Sequence, residues 1–239
     1  MGLTFHQATA RATSAANPIT TASLTLDTNE KLAVLMIKTV GGTDRSGGAP
    51  TFGGQTMTQA NSTQKAVSSP EAGCELWYLL DPPTGAQTAS IPNEGTLTLY
   101  YTVATGKASS TLSGSVVLNG SNGGNATSTN PTPGAIVVTA DQALGFAVTA
   151  GGWTNFSSAT PAGVALSTSD DGAHGGAEQY LNIASGPGSF TLNWTFGTSD
   201  DWGAVAAVFS ENYRPPAMEN YKFPKCASAG IISMSERIR

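Results

Sequence analysis

Residues 74–85, CELWYLLDPPTG, contain an apolar, aromatic run that stops at two prolines and a glycine. Proline lacks the backbone donor that a sheet ladder requires, so Pro82 and Pro83 cannot continue a central strand. Gly85 supplies the backbone freedom that a turn needs. The stretch therefore predicts a buried strand that ends at Leu80 or Asp81 and leaves through a turn.

Both faces of this predicted strand carry large apolar side chains. Leu76, Tyr78 and Leu80 fall on one side, and Trp77 and Leu79 fall on the other. Such a strand is typical of a sheet that is covered on both faces. We therefore interpret this stretch as scaffold rather than as a site of chemistry.

Similar short segments recur along the chain between turns rich in glycine, proline, asparagine and serine. Strands are predicted over residues 3–11, 23–26, 31–40, 51–58, 96–105, 112–119, 135–139, 144–149, 164–168, 176–183, 189–196 and 204–210. We interpret 51–58 as a hairpin or bulge around its glycine pair, and 135–139 with 144–149 as a second hairpin. Residues 119–133 hold two Asn-Gly pairs, a Gly-Gly pair and two prolines, which predicts a long surface loop.

This pattern contains no amphipathic helix and no visible internal repeat. It predicts an all-β fold, an antiparallel β-sandwich over residues 1–210, with a jelly roll as the favoured topology. Strand alternation stops at Glu211, and residues 211–239 contain Pro215, Pro216 and Pro224. We therefore predict an extended C-terminal tail over residues 211–239.

Composition limits the partners that we expect. Charged residues make up 11% of the 239 residues and the net charge is −5, with no local cluster of lysine or arginine. Neither nucleic acid nor an anionic membrane is therefore an expected partner. No apolar segment approaches the roughly 20 residues of a spanning helix. Residues 1–16 lack the hydrophobic core of a signal peptide, so export by the usual route is not expected.

Candidate chemistry is sparse. Cys74 and Cys226 are interpreted as separate thiols rather than a disulfide, since one opens a core strand and the other lies in the tail. One acidic group has the residue types of a metal site: Asp170, Asp171, His174 and Glu178, with Asp200 and Asp201 nearby. Asp-Asp-Gly is also a common turn, and we favour that interpretation. We predict no metal, no cofactor and no enzyme, because the chain contains no catalytic motif.

Three segments carry a family resemblance. Residues 49–58, APTFGGQTMT, followed by ELWYLLDPPTG at 75–85, resemble a β-sandwich module that recurs in phage, prophage and environmental bacterial proteins. Residues 201–209, DWGAVAAVF, resemble its last strand. The resemblance covers roughly residues 3–210. It implies a non-catalytic module of virion or surface structures, with no catalytic residues to carry over.

Two functions remain open at this stage. The first is a phage structural protein, favoured as a capsid decoration protein, located in the virion and made in the host cytoplasm. Such a protein would contact other virion proteins in the capsid or tail and form a homo-oligomer. Its tail would supply the apolar contacts Tyr213, Met218, Tyr221, Phe223, Ile231, Ile232 and Met234.

The second is a carbohydrate-binding or adhesin module, in a tail fibre or a surface protein. Trp153, Phe156 and the 119–133 loop are its candidate contact surface, because sugars stack on aromatic rings. The same two rings could instead fold down and close one end of the sandwich.

Overall fold

A computed structural model describes residues 2–40, 47–65, 72–95, 97–108, 115–139, 142–151, 160–170, 175–184, 187–197 and 199–211. These residues form 21 strands, and none of them lies in a helix. An all-β antiparallel fold is therefore confirmed.

The first half of the chain builds one sheet and the layer that covers its outer face. Its strands are β1 Leu3–Ala8, β2 Ala12–Ser14, β3 Ile19–Thr20, β4 Leu24–Leu26, β5 Glu30–Val40, β6 Thr51–Phe52, β7 Gln55–Thr56, β8 Thr58–Lys65, β9 Ala72–Leu80, β10 Gly85–Gln87, β11 Ala89–Ile91 and β12 Thr98–Ala108. The long strands form the first sheet in the order β1-β12-β5-β9-β8, and β2 continues beside β12. The short strands β3, β4, β6, β7, β10 and β11 pair only with one another and form the cover.

The second half builds another sheet with its own cover. Its strands are β13 Val116–Ser128, β14 Ile136–Val138, β15 Ala143–Gly151, β16 Thr160–Pro161, β17 Val164–Asp170, β18 Gly175–Ile183, β19 Gly188–Phe190, β20 Trp194–Thr195 and β21 Asp200–Glu211. The second sheet has the order β13-β21-β15-β18-β17. The pairs β14–β19 and β16–β20 belong to the cover.

The two halves have the same topology. If the long strands of each half are numbered along the chain, both sheets have the spatial order 1-5-2-4-3. The first strand of each half carries a bulge, at His6 and at Asn119, and the third strand carries another, at Ala60 and at Leu166. The chain therefore contains a repeat of topology that the sequence pattern did not reveal.

The ladders fix the equivalence of the halves residue by residue. One row crosses the first sheet through directly paired residues: Thr58, Tyr78, Val34, Ala104 and Ala8. The corresponding row of the second sheet is Val164, Tyr180, Phe146, Ala207 and Ser121. The cover strands obey the same relation, because Leu26 pairs with Gly85 and Val138 pairs with Gly188. We call two residues equivalent when they hold the same position in these two rows, or lie the same number of residues from the row along corresponding strands.

The two sheets pack face to face and both of their outer faces are also buried. The central cluster between the sheets includes Leu32, Val34 and Met36 of β5 with Leu144, Phe146 and Val148 of β15. Ile19, Phe52 and Ile91 of the first cover pack on the alternate residues of the first sheet. Ile136, Leu192 and Trp194 cover the second sheet in the same way. The result is a sandwich of four layers, in which the central strands β5, β12, β15 and β21 are buried on both faces.

Strands of the two sheets run along a common direction. Lys38, near the end of β5, lies against Gly176 at the start of β18, and Leu144 at the start of β15 lies against Gly106 near the end of β12. We call the end of the sandwich at which Lys38 meets Gly176 the Lys38 end. With equal strand order and direction, the halves are related by an approximate twofold axis parallel to the strands.

Several sequence expectations can now be decided. β9 ends at Leu80, Asp81 has a φ of 47°, and Gly85 has a φ of 88°, so the strand and turn predicted at 74–85 are confirmed. The hairpin at 51–58 is confirmed, because β6 pairs with β7 around Gly53 and Gly54, both at positive φ. The jelly-roll connectivity finds no support here, since each sheet is formed by one half of the chain.

Three expectations were wrong. Residues 119–128 of the predicted 119–133 loop belong to strand β13, which pairs with β21 along this stretch. The predicted hairpin at 135–149 does not form, because β14 pairs with β19 in the cover whereas β15 pairs with β18 and β21. The predicted strand 189–196 is two short strands that pair with different partners.

Candidate functional site: a buried charge cluster between the sheets

Most of the predicted contact residues lie outside the described residues. These are Trp153 and Phe156, Asp171 and His174, and the tail residues Tyr213, Met218, Tyr221, Phe223, Ile231, Ile232 and Met234. The turn favoured at the acidic group, the ligand loop and the partner contacts of the tail stay predictions. Of the acidic group, the structure describes the side chains of Glu178 and Asp201.

Those two carboxylates lie in different surroundings. Glu178 is buried between the sheets, with its Oε1 3.9 Å from Arg11 Nε. Asp201 accepts a hydrogen bond from the Thr127 hydroxyl across the β13–β21 ladder. Within the described ranges, no three histidine, cysteine, aspartate or glutamate side chains come together as metal ligands.

Glu178 belongs to a charge cluster that the sequence analysis did not foresee. We define the charge cluster as Arg11, Lys38, Tyr100 and Glu178. The Arg11 guanidinium carbon lies 4.5 Å and the Lys38 Nζ 4.7 Å from the centroid of the Tyr100 ring, which is within the range of cation–π attraction. Arg11 also donates from Nη1 to the Gly176 carbonyl at 3.2 Å. The cluster therefore joins a segment of the first half to β18 of the second.

Strand alternation places these side chains in the interior. Lys38 follows Leu32, Val34 and Met36 at every second position of β5, so it faces the second sheet at the Lys38 end. Only 1% of its surface is exposed. Glu178 precedes Tyr180 by two residues on β18 and faces inward for the same reason. This alternation was the available signal, and it would have marked a lysine on a central strand as a buried charge.

The repeat shows which of these residues the fold needs. Ala150 is equivalent to Lys38, Gly203 to Tyr100 and Leu76 to Glu178. The same scaffold thus accepts small or apolar residues where the cluster has charged or aromatic ones. Burying charges costs free energy, so their presence is not explained by the requirements of the fold.

Small residues of the second half make room for the cluster. A methyl group at Gly176 would lie 2.6 Å from Lys38 Cδ, too close for real atoms. The Lys38 side chain therefore fits against position 176 because that residue is a glycine. Nearby, the Cys74 thiol donates to the Gly203 carbonyl at 3.1 Å.

Cys74 is the direct cross-strand partner of Lys38 but is not an activated nucleophile. Burial raises the pKa of the Cys74 thiol well above its ordinary value, and the nearby positive charge of Lys38 only partly opposes this. A thiol held in its neutral form reacts poorly. The expected free, unpaired state of Cys74 is confirmed by the described structure.

The opposite end of the first sheet has its own polar network. The Glu30 carboxylate is buried and accepts hydrogen bonds from the Asp27 backbone amide at 2.7 Å and from Gln7 Nε2 at 3.2 Å, and it pairs with His6. Asp27 receives a bond of 2.6 Å from Lys107 Nζ. These contacts fix the turn that leads into β5 beside the end of β12.

The charge cluster and this network tie strands together rather than present reactive groups. Arg11 and Glu178 form a link inside a medium of low dielectric, where an ion pair is screened little by water. The cluster lies at the Lys38 end, where β5 and β15 finish and β18 begins. Its geometry supports a structural role in fixing the register of the two halves.

Comparison of the chain with family models, curated proteins and solved structures gives no match. No helix in the described part of the chain has the length and apolarity to cross a membrane.

Proposed function

We propose that this chain is a non-catalytic structural protein of a phage particle, with decoration of the capsid as its favoured role. The single observation that carries this proposal is the burial of both faces of the central strands of each sheet in a duplicated, four-layered sandwich. Such a body deforms little, because its interior is close-packed and its sheets cannot slide without breaking two layers. Rigidity of this kind suits a repeated element of a protein shell.

The module resemblance at residues 49–58, 75–85 and 201–209 supports the same proposal, since it points to virion and surface structures. The low fraction of charged residues agrees with a protein that lies against other proteins. In this proposal the tail residues from Tyr213 to Met234 bind a neighbouring virion protein, and the sandwich provides the rigid body that they attach.

The alternative adhesin interpretation stays a prediction. Of its candidate surface, residues 119–128 belong to strand β13, and Trp153 and Phe156 lie outside the described residues. No observation on the described residues favours binding of a carbohydrate.

Purified particles provide the test. We expect mass spectrometry to find this protein at fixed stoichiometry in particles purified through a density gradient. Particles made without it should still assemble but lose their genome at a lower temperature, and added purified protein should restore their stability. A protein that stays in the infected-cell lysate and is absent from particles would contradict the proposal.

A further inference from the structure

The sandwich has two seams, where an edge of one sheet meets an edge of the other. At the closed seam β8 meets β13. Ser121 Oγ donates to the Ala60 carbonyl at 2.7 Å, and Asn125 Nδ2 donates to Thr63 Oγ1 at 3.4 Å. Hydrogen bonds therefore join the third strand of the first half to the first strand of the second.

The approximate twofold axis relates this seam to one between β1 and β17, and there the arrangement differs. The Phe5 amide donates to Asn182 Oδ1 at 2.9 Å, and the Phe5 ring stacks on Tyr180 with centroids 3.9 Å apart. Both partners lie on β18. Strand β1 thus packs on the fourth strand of the second half instead of its third. Strand β17 still contributes Leu166 to the central cluster.

The side chains at this open seam are larger and more apolar than their equivalents. Val164 pairs directly with Tyr180, so it faces the side of the sheet that should be covered, yet it is 51% exposed. Its equivalent at the closed seam is Thr58. Leu166 is equivalent to Ala60, and Phe5 is equivalent to Leu118. The fold does not itself require the valine, since Thr58 occupies the equivalent position, whereas Leu166 is half-buried against the central cluster.

The backbone of β17 is also available for pairing. Among the described strands, β17 pairs with β18 alone and forms the end of its sheet. Of the features that commonly protect an edge, β17 has the bulge at Leu166, but its sequence, VALSTSD, contains neither a proline nor a lysine. An edge of this kind can accept another strand.

We propose that β17 and the open seam, formed by Phe5, Val164, Leu166 and Tyr180, bind a second copy of this chain. The two halves have the same topology and already pack on each other, and the open seam is continuous with the interface between them. The four side chains are uncharged at neutral pH, so two copies can meet there without repulsion. Antiparallel pairing of β17 with β17 across a twofold axis makes the interface self-complementary and keeps the two Asp170 positions at opposite ends. This inference stands apart from the proposed function, because it concerns the purified protein alone.

The closed seam supplies the variant that tests the proposal. Val164→Thr with Leu166→Ala places the equivalent residues of the closed seam into the open one, in the full-length chain. Sedimentation velocity should show a dimer for the natural sequence, and dimerisation at least about tenfold weaker for the double variant. Val137→Thr is the matched control, because Val137 is 67% exposed on cover strand β14 and its equivalent is Thr25. The control should dimerise like the natural sequence, and all three proteins should give the same circular dichroism spectrum.

Hydrogen exchange distinguishes a second copy at the β17 edge from another part of the same chain at that edge. Amides of residues 164–170 should be protected in the dimer and exchange faster in the double variant. A natural chain that remains monomeric, or a dimer that the double variant leaves intact, overturns the proposal. Protection of these amides in a monomer also overturns it, since another part of the same chain would then occupy the edge.

Discussion

Thr102 and Val205 occupy equivalent positions in the two halves, and both are buried between the sheets. None of the described residues offers the Thr102 hydroxyl a hydrogen bond. The same holds for the buried hydroxyl of Thr105, whose equivalent is Val208. In each pair, one half of the chain shows that the scaffold accepts the apolar residue of the same shape.

Replacement of Thr102 by valine should therefore stabilise the protein. The substitution removes a buried polar group without a partner and keeps the volume, so we expect the free energy of unfolding to rise by about 1 kcal/mol. Thr149→Val is the matched control, because the buried Thr149 hydroxyl donates to the Gly203 carbonyl at 3.0 Å. That variant should lose about 1 kcal/mol. Urea unfolding measures both, and equal effects of the two substitutions would contradict the argument.

The charge cluster makes a prediction about coupling. Arg11→Met leaves the Glu178 carboxylate buried beside an apolar group, which should cost on the order of 3 kcal/mol of unfolding free energy. Glu178→Leu introduces leucine, which is the residue at the equivalent position 76. The double variant should lose less unfolding free energy than the sum of the two single losses, by about 1 kcal/mol or more. Urea unfolding of the four proteins of this cycle gives the coupling energy.

An exposed ion pair provides the control cycle. Lys31 Nζ lies 3.1 Å from Asp81 Oδ1, and both side chains are substantially exposed. Lys31→Met and Asp81→Asn should therefore couple by no more than about 0.5 kcal/mol. Comparable coupling in the two cycles would show that the buried cluster does not link the sheets in the way proposed.

Local chemistry explains which parts of the fold were predictable. The paired prolines after Leu80 and the positive φ of Gly53 and Gly54 act within a few residues, so the sequence signals the end of β9 and the hairpin directly. The alternation around Tyr78 likewise signals a strand buried on both faces. These predictions needed no knowledge of distant partners.

Other features depend on partners far along the chain. The Asn- and Gly-rich stretch of β13 has low strand propensity, but β21 supplies a full ladder and the context prevails. The repeat was not visible because the packing requires only apolar residues of suitable size. Of the equivalent positions, 78 and 180 both hold tyrosine, whereas position 34 holds valine and its equivalent, position 146, holds phenylalanine.

The site was still less predictable. Sequence patterns placed position 38 on a central strand, but the partners of a buried lysine come from other elements: Tyr100 on β12 and Gly176 on β18. No local spacing connects these positions. Only the comparison of the halves shows that the charges are additions to the scaffold.

The Cys74 thiol should be unreactive while the protein is folded. Burial raises its pKa, and the thiol donates to the Gly203 carbonyl, so little thiolate forms at neutral pH. We expect a Cys226→Ser variant to react with a thiol reagent only after unfolding in urea, when one thiol per chain is titrated. Rapid reaction of the folded variant at pH 7 would contradict the buried position of Cys74.

The final prediction concerns acid stability. The hydrogen bond from Lys107, followed by that from the Asn29 backbone amide, lowers the pKa of Asp27 from 3.8 to about 2. A group whose pKa is lower in the folded state stabilises the protein above the unfolded pKa, and this contribution is lost as the pH falls through the folded value. Part of the stability should therefore disappear between about pH 4 and pH 2. Asp27→Asn should remove this loss, because it removes the titrating group, whereas Lys107→Gln should only reduce it, because the Asn29 amide still lowers the pKa of Asp27. The midpoint of urea unfolding, measured from pH 5 to pH 2.5, gives the slope, and an unchanged slope in both variants would rule out this pair as its source.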